Sequence, residues 1–282
     1  MNPKFSIPAL TCLAMLAFAG NSVLARLALA GADSSPWSFT LVRLVSGALV
    51  LAVLASPRRA VSSGSWRSAA ALLTYAGLFS LAYLWLDAGT GALILFACVQ
   101  ITMIGVGVVM GERLRMLQWL GMALALAGLI YLLQPSTTAP APFGALAMAI
   151  SGSGWGIYSL RGRCKSDPVS TSAGNFLRAA TLAAALTLPI LLLLPEPMPG
   201  LRTLTIAALS GAITSGLGYV IWYRALKGLS AAQAGIAQLS VPAIAALGGI
   251  LFLAEPLSLR FIMASAIILA GVAIATLTRS RT

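Results

Sequence analysis

Asn21, Gln100 and Gln238 stand inside long apolar runs, where an amide must find a partner. An amide both donates and accepts, so it suits the ammonium and carboxylate of a zwitterion as well as it suits a neighbouring helix. Gln238 lies four residues before Pro242, whose missing N–H leaves the carbonyl of that same residue free. One turn then offers an amide and a bare carbonyl, with a packing kink as the alternative. Tyr75, Phe79 and Tyr83 recur at i, i+4 and i+8, one continuous face of a helix. Trp155 with Tyr158, and Tyr219 with Trp222 and Tyr223, form shorter sets, while Phe18 and Phe96 share the depth of Asn21 and Gln100. Aromatic walls carrying a few amides suit a small amphipathic solute. The candidate solute-binding residues are therefore Phe18, Asn21, Tyr75, Phe79, Tyr83, Phe96, Gln100, Trp155, Tyr158, Tyr219 and Gln238. Packing is the competing role for many of these rings. Trp37, Trp66, Trp85, Trp119 and Trp222 read as an interfacial belt instead.

Charged chemistry is scarce. Arg43 and Arg178 could draw a carboxylate or phosphate, but they lie toward opposite ends of their segments, which favours snorkelling or helix-to-helix ties. The chain has 6 acidic residues. Asp87 is nearest a membrane interior, and proton relays need an intramembrane acid. Its position before an apolar run reads as a helix cap. Glu112 and Glu255 read as helix-end and loop residues, so the expectation is facilitative movement of solute rather than proton coupling. With no His there is no His-based relay and no HExxH zinc site, and no P-loop stands among the glycines. Gly152-Ser153-Gly154 reads as a close-packing spot, and the scattered Cys12, Cys98 and Cys164 as small apolar fillers. Neither an enzyme nor a bound metal or other cofactor is expected.

These residues need helices to hold them. Of the 282 residues, 59% are hydrophobic and 9% charged, with mean hydropathy +0.95, against roughly 25% charged in a soluble domain. Runs near the length of a crossing cover about 6–28, 37–56, 67–86, 89–110, 115–133, 143–160, 170–194, 202–223, 231–253 and 259–277. Helices are expected throughout, because unpaired backbone is too costly in lipid and barrel-type alternation is absent. Lys4 before Ala17-Phe18-Ala19 resembles a secretory signal, but the run continues to about Ala28 as a first crossing. The net charge of +12 follows the connections. With the amino terminus inside, Lys4, Arg58, Arg59, Arg67, Arg113, Arg115, Arg161, Arg163, Lys165, Arg224, Lys227, Arg279 and Arg281 fall inside, and Arg202 and Arg260 outside. By the positive-inside rule both termini are cytoplasmic. The basic charge faces anionic lipid headgroups, and nucleic acid is a poor partner.

The chain also repeats. Met110-Gly111-Glu112-Arg113-Leu114 returns 143 residues later as Leu253-Ala254-Glu255-Pro256-Leu257, and Leu126-Ala127-Gly128-Leu129 returns at the same offset as Leu269-Ala270-Gly271-Val272. Arg43 and Arg178 match at an offset of 135, the difference falling in the connection near Leu226–Ala232. Five helices in 1–134 and five in 143–282, joined by an external linker at 135–142, make an odd number per unit. The second copy is then turned over, the arrangement in which a solute sits near the midplane between halves. Gly107-Val108-Val109-Met110-Gly111, with Gly248-Gly249 at the comparable place, reads as a close contact between halves. A dimer contact is the alternative, so a monomer or weak dimer is expected.

The five-plus-five layout, an Arg in the second span of each half, and Gly-Glu-Arg and Ala-Glu-Pro closing each fourth span resemble the EamA branch of the drug/metabolite transporters over the whole chain. Within that branch the chain is similar to the YddG type, exporters of aromatic and other neutral amino acids. The resemblance implies an all-α polytopic protein of ten transmembrane helices in two inverted repeats, in a bacterial inner membrane, exporting such amino acids by alternating access. It departs from the pattern where family copies show Glu-Pro-Leu: Ser240-Val241-Pro242 keeps only the proline, and Cys98-Val99-Gln100 neither residue. A flippase for a lipid-linked intermediate, with aromatics on a lipid-facing groove, or a membrane scaffold, are the rival functions.

Overall fold

The computed structural model describes residues 3–31, 35–111, 114–135, 139–162, 167–193, 199–229, 234 and 237–277. Glu112, Arg113, Arg163, Cys164, Lys165, Arg279 and Arg281 lie outside them, as do 136–138 of the linker and part of the connection before the ninth run. The described residues are helical with no strand. In chain order the helices are α1 (Pro3–Leu29), α2 (Pro36–Ala55), the short α3 (Pro57–Ser62), α4 (Trp66–Ala82), α5 (Ala88–Val109), α6 (Met116–Leu133), α7 (Pro142–Gly162), α8 (Pro168–Leu193), α9 (Leu201–Leu226), α10 (Ser240–Leu253) and α11 (Leu259–Leu277).

Local chemistry sets their ends. Pro36 opens α2 behind Ser35, whose hydroxyl accepts from the Ser38 N–H, and Ser65 caps α4 by accepting from the Ser68 N–H. The α10 helix stops at Ala254, which takes a left-handed φ of 54°. Among the described residues α1, α2, α5, α6, α8 and α9 are long and apolar enough to cross a membrane by length and composition, and α10 and α11 are shorter apolar helices. The α4 helix has 17 residues, and α7 carries Gly144, Gly152, Gly154 and Gly156 and the serines 151 and 153. Hydropathy alone under-reports helices that trade bulk for close contact.

Small residues bring the helices together. A Cβ on Gly121 would stand 2.5 Å from the Gly271 carbonyl oxygen, and one on Gly271 2.5 Å from the Ala125 nitrogen, so α6 and α11 lie backbone to backbone. The Gly152 site abuts the Leu95 carbonyl and Gly154 the Tyr75 nitrogen, which seats α7 against both α5 and α4. Most of the larger remaining contacts can be set side by side. Helix α2 lies on α8 and α5 on α10; α4 lies on α7 as α9 lies on α1; α5 lies on α7 as α10 lies on α1; α2 lies on α9 as α4 lies on α8. Of the residues expected to bring the halves together, Gly248 lies against Val23 and Gly249 near Ala88, but Gly111 needs correction: it is a turn residue at φ 96° with open space beside it. The close approach of α5 to α10 is at Gly89, which meets Ala246.

Candidate functional site

Trp155 of α7 is the hub of a buried ring cluster. Its centroid lies 5.0 Å from Tyr75, 5.8 Å from Phe18, 5.7 Å from Tyr158 and 4.8 Å from Tyr219. The face expected on α4 extends through its end, with Tyr75 and Phe79 at 5.4 Å and Phe79 and Tyr83 edge-to-face at 4.8 Å. Tyr83 already sits past the helix, in the turn, and its hydroxyl donates to the Ala88 carbonyl at 3.3 Å. Trp222, read from sequence as an interfacial ring, is buried and meets Phe18 at 5.7 Å. The exposed Trp66, Trp85 and Trp119 stay at the surface.

Phe18, Ser22, Tyr75, Phe79, Leu95, Phe96, Trp155 and Tyr219 enclose a void of ≈ 10 Å³, about one water. Small-molecule sites hold roughly 300 to 1,000 Å³. The rings are thus closed on one another, with no room for more than a water.

Polar groups back this void. Asn21 donates to the Tyr75 hydroxyl at 3.1 Å and accepts from Ser210 at 2.6 Å and Thr214 at 3.1 Å. Arg43 is 1% exposed, so it does not snorkel. Its Nη2 donates to the Tyr75 hydroxyl at 2.8 Å and its Nε to Ser215 at 3.1 Å, and its guanidinium carbon stands 4.7 Å from the Phe79 ring centroid. Arg178, its sequence counterpart, instead donates to the carbonyls of Ser63, Gly174 and Val61 and lies over the Trp66 ring. The two arginines matched in sequence occupy unlike places.

Ser210, Thr214 and Ser215 belong to a π-helical stretch inside α9, Ser210–Leu217, whose wider turn aims all three hydroxyls inward. Because Gly211 there has no side chain, the Arg43 carbonyl and the Ser46 hydroxyl pack where its Cβ would stand. This segment was not among the sequence candidates. Its signal is the run Ser210-Gly211-Ala212-Ile213-Thr214-Ser215-Gly216, small and hydroxylated within an apolar helix.

Among the described residues, Arg43 Nη1 and Gln100 Nε2 are buried without a hydrogen-bond partner, while the buried hydroxyls of Tyr158 and Tyr219 find only loosely aligned neighbours, Tyr223 with Asn175 and Ser172 for the first and Tyr75 for the second. Each unpaired buried group costs about 1–3 kcal/mol. Gln238 is buried apart from the void, and its amide donates to the Ala234 carbonyl at 3.3 Å.

Above Asn21 on α1, Arg26 forms a tie that sequence reading did not find. Its Nε donates to Glu255 at 3.1 Å and its Nη1 to the carbonyls of Tyr83 and Leu84, while Asp87 stands 3.8 Å from Nη2. Asp87 occupies the N-cap position of α5 without a side-chain cap bond; Glu255 takes the Ala88 N–H instead, at 2.9 Å. Burial raises the Glu255 carboxyl above its ordinary 4.5, and Asp87 adds to this, against the lowering effect of the Ala88 N–H and Arg26. At the opposite helix ends Arg161 donates to the Ser68 hydroxyl at 3.0 Å. No group of His, Cys, Asp and Glu among the described residues could hold a metal ion.

Apolar crossing helices that bury rings and unsatisfied polar groups among themselves define a multi-pass membrane transporter. The comparisons agree: residues 142–277 match the EamA-like transporter family. The chain is 52% identical over 268 residues to the uncharacterized protein PA1977 of Pseudomonas aeruginosa, covering 94% of this chain and 92% of that one. The second half of the chain thus carries an EamA-like transporter domain, and with the similarities below this supports the drug/metabolite transporter superfamily. It is also 22% identical to an uncharacterized transporter of Archaeoglobus fulgidus, covering 70% of this chain and 71% of that one. The uncharacterized transporter YoaV of Bacillus subtilis is likewise 22% identical, over 74% of this chain and 73% of its own length. A solved crystal structure, 23% identical, superposes with a TM-score of 0.66 over 96% of this chain and 97% of that one, so the fold is shared.

Proposed function

We propose that this chain exports small amphipathic metabolites, chiefly aromatic and other neutral amino acids, by alternating access and down their gradient. The observation that carries the reading is the closed ring cluster around Trp155, backed by the polar groups of Arg43, Asn21 and Gln100. The rings face one another inside the bundle, where a solute would bind, and not a groove open to lipid, where a flippase would need them. No acid among the described residues adjoins the void, which supports facilitative movement.

Alternating access follows from a proposed inverted repeat of ten crossing helices, five in 1–134 and five in 143–282. In it α1 corresponds to α7, α2 to α8, α4 to α9, α5 to α10 and α6 to α11. Exchanging partners this way turns α4 on α7 into α9 on α1, α5 on α7 into α10 on α1 and α2 on α9 into α8 on α4, and leaves α2 on α8, α5 on α10 and α6 on α11 unchanged; smaller contacts such as α1 with α5 have no such counterpart among the described residues. With both termini cytoplasmic, the Arg26–Glu255 tie closes the external end of the path. Phe18 lies eight residues below Arg26 on α1, about 12 Å along the helix. A surface pocket of ≈ 310 Å³, lined in part by Asp87 and Glu255, opens above the tie and serves as the vestibule.

Efflux of labelled phenylalanine from vesicles of the purified protein tests the reading. Down-gradient efflux is expected, reduced at least tenfold by Phe79→Ala at unchanged protein content. Flux equal to empty vesicles, or accumulation against the gradient that an uncoupler abolishes, would overturn it.

A further inference from the structure

Arg43 is a fixed positive charge, 1% exposed, and no carboxylate among the described residues pairs with it. The described acids lie elsewhere: Asp87 and Glu255 in the tie to Arg26, and Asp167 at the start of α8, where its carboxylate accepts from Ser170. A guanidinium has five N–H groups and cannot shed its charge. Here Nε is spent on Ser215 and one Nη2 hydrogen on Tyr75, while Nη1 donates to nothing. The rings of Tyr75 and Phe79 supply part of the missing stabilisation through their faces. They are also two walls of the void, so the charge sits immediately at the solute's path.

The remaining unpaired atoms point the same way. Gln100 Nε2 can only donate, and the buried hydroxyls of Tyr158 and Tyr219, held loosely by neighbouring hydroxyls and Asn175, can donate as well as accept. Asn21 Oδ1 already accepts from Ser210 and Thr214. The site offers donors and a positive charge to an incoming solute, and no acid to receive an ammonium.

From this we infer that Arg43 binds the solute's carboxylate, and that the carboxylate, not the amine, is what the site requires: aromatic monocarboxylates without an amino group are carried as well. The inference rests on the export reading given above. An unpaired Nη1 beside a partly used Nη2 matches the two oxygens of a carboxylate, the bidentate geometry arginine favours. Such an anion would neutralise the buried charge, which a zwitterion does only locally. An inside-negative membrane potential then assists its exit, by about 2.3 kcal/mol per charge per 100 mV.

The test measures binding to the purified full-length protein, by quenching of tryptophan fluorescence and by competition in vesicle flux. The probes are phenylalanine, 3-phenylpropanoate, phenylalaninamide, phenethylamine and butyrate. Phenylalanine and 3-phenylpropanoate should bind within about fivefold of each other, and the amide and amine at least tenfold more weakly. Flux of 3-phenylpropanoate should rise with an imposed inside-negative potential, and that of phenylalanine should not. Arg43→Gln should erase the preference for carboxylates, and Arg43→Lys should retain part of it; the comparison among probes on the unaltered protein stands even if both variants misfold. Equal binding of all four ring compounds, or an unchanged preference in folded Arg43→Gln, would overturn the inference while leaving the aromatic site intact. Butyrate binding as tightly as 3-phenylpropanoate, with preference for carboxylates retained, would overturn the aromatic reading and leave Arg43 as an anion site. Binding of none of the probes would overturn both.

Discussion

Replacing Glu255 by Gln should open the proposed external end of the path. The change keeps the side chain's size and an oxygen for the Ala88 N–H, but removes the charge facing Arg26 Nε at 3.1 Å. The two side chains are 19% and 11% exposed, which places the pair between the exposed and buried limits. Exposed pairs contribute at most about 1 kcal/mol. Removing one partner of a fully buried pair costs about 3–5 kcal/mol. Arg26 keeps its bonds to the Tyr83 and Leu84 carbonyls and its approach to Asp87, so a value near the lower limit, about 2 kcal/mol, is appropriate. That shifts the balance between closed and externally open states by about 30-fold. Ser22 lines the void and is 2% exposed, so a cysteine there reports access. In a chain with Cys12, Cys98 and Cys164 replaced by Ala, Ser22→Cys should react slowly with an impermeant maleimide added outside. Adding Glu255→Gln should raise that rate at least tenfold. An unchanged rate would refute the assignment of this tie as the external closure.

Three further outcomes follow from the packing and the charges. Trp155→Ala should lower the unfolding midpoint in detergent, by the equivalent of about 3–5 kcal/mol, because the ring touches Phe18, Tyr75, Tyr158 and Tyr219; Trp155→Phe should recover a large part of the loss. Gly211→Ala should cost about 1–3 kcal/mol by pushing α9 off the Arg43 carbonyl and Ser46, whereas Gly77→Ala, with open space beside it, should be neutral or slightly stabilising in the same thermal assay. Burial raises the Glu255 carboxyl, so the folded state binds its proton more readily than the unfolded chain does. Its contribution to stability therefore falls as pH rises from 4.5 through the raised value, while the ionised tie forms across the same interval. The unfolding midpoint in detergent should accordingly fall as pH rises from 4.5 through the raised value, and Glu255→Gln should abolish that dependence.

Helix limits were legible because this chain marks them with proline, serine and charge. The α2 helix expected from about 37 starts at Pro36, and the α5 helix expected from about 89 starts at Ala88. The ring face at 75, 79 and 83 was equally legible, since spacing alone puts three rings on one side of a helix. What failed depended on contacts between distant segments. Hydropathy sees Arg43 near a helix start and predicts snorkelling; the hydroxyls of Tyr75 and Ser215, 32 and 172 residues away, and the ring faces of Tyr75 and Phe79 make its burial tolerable. Glu255 read as a loop marker because its partner, Arg26, is 229 residues distant. Trp222 sits near a helix end, where tryptophans normally face the interface, yet Phe18 of α1 covers it. The π-helical turn of α9 is a backbone choice without a periodic signature, and its serines are legible only as an oddity of composition.

The contrast between Arg43 and Arg178 shows how a proposed inverted repeat can recognise a solute that has no such symmetry. A strict repeat would present two arginines from opposite sides, and a carboxylate has only one end to offer. Here the α9 helix widens at Ser210–Leu217, so Gly211 admits the α2 backbone and Ser215 receives the Arg43 side chain. The corresponding α4 helix has no such widening, and Arg178 turns to the carbonyls of Val61, Ser63 and Gly174. Those carbonyls satisfy its donors, leaving it a tie between α8 and the chain that links α3 to α4. The first half thus contributes Arg43, Asn21, Tyr75 and Phe79, and the second Trp155, Tyr219 and the α9 hydroxyls. In the proposed transporter, symmetry in the scaffold would supply the two-sided motion, and a local departure in one helix would supply a single charged pole for binding.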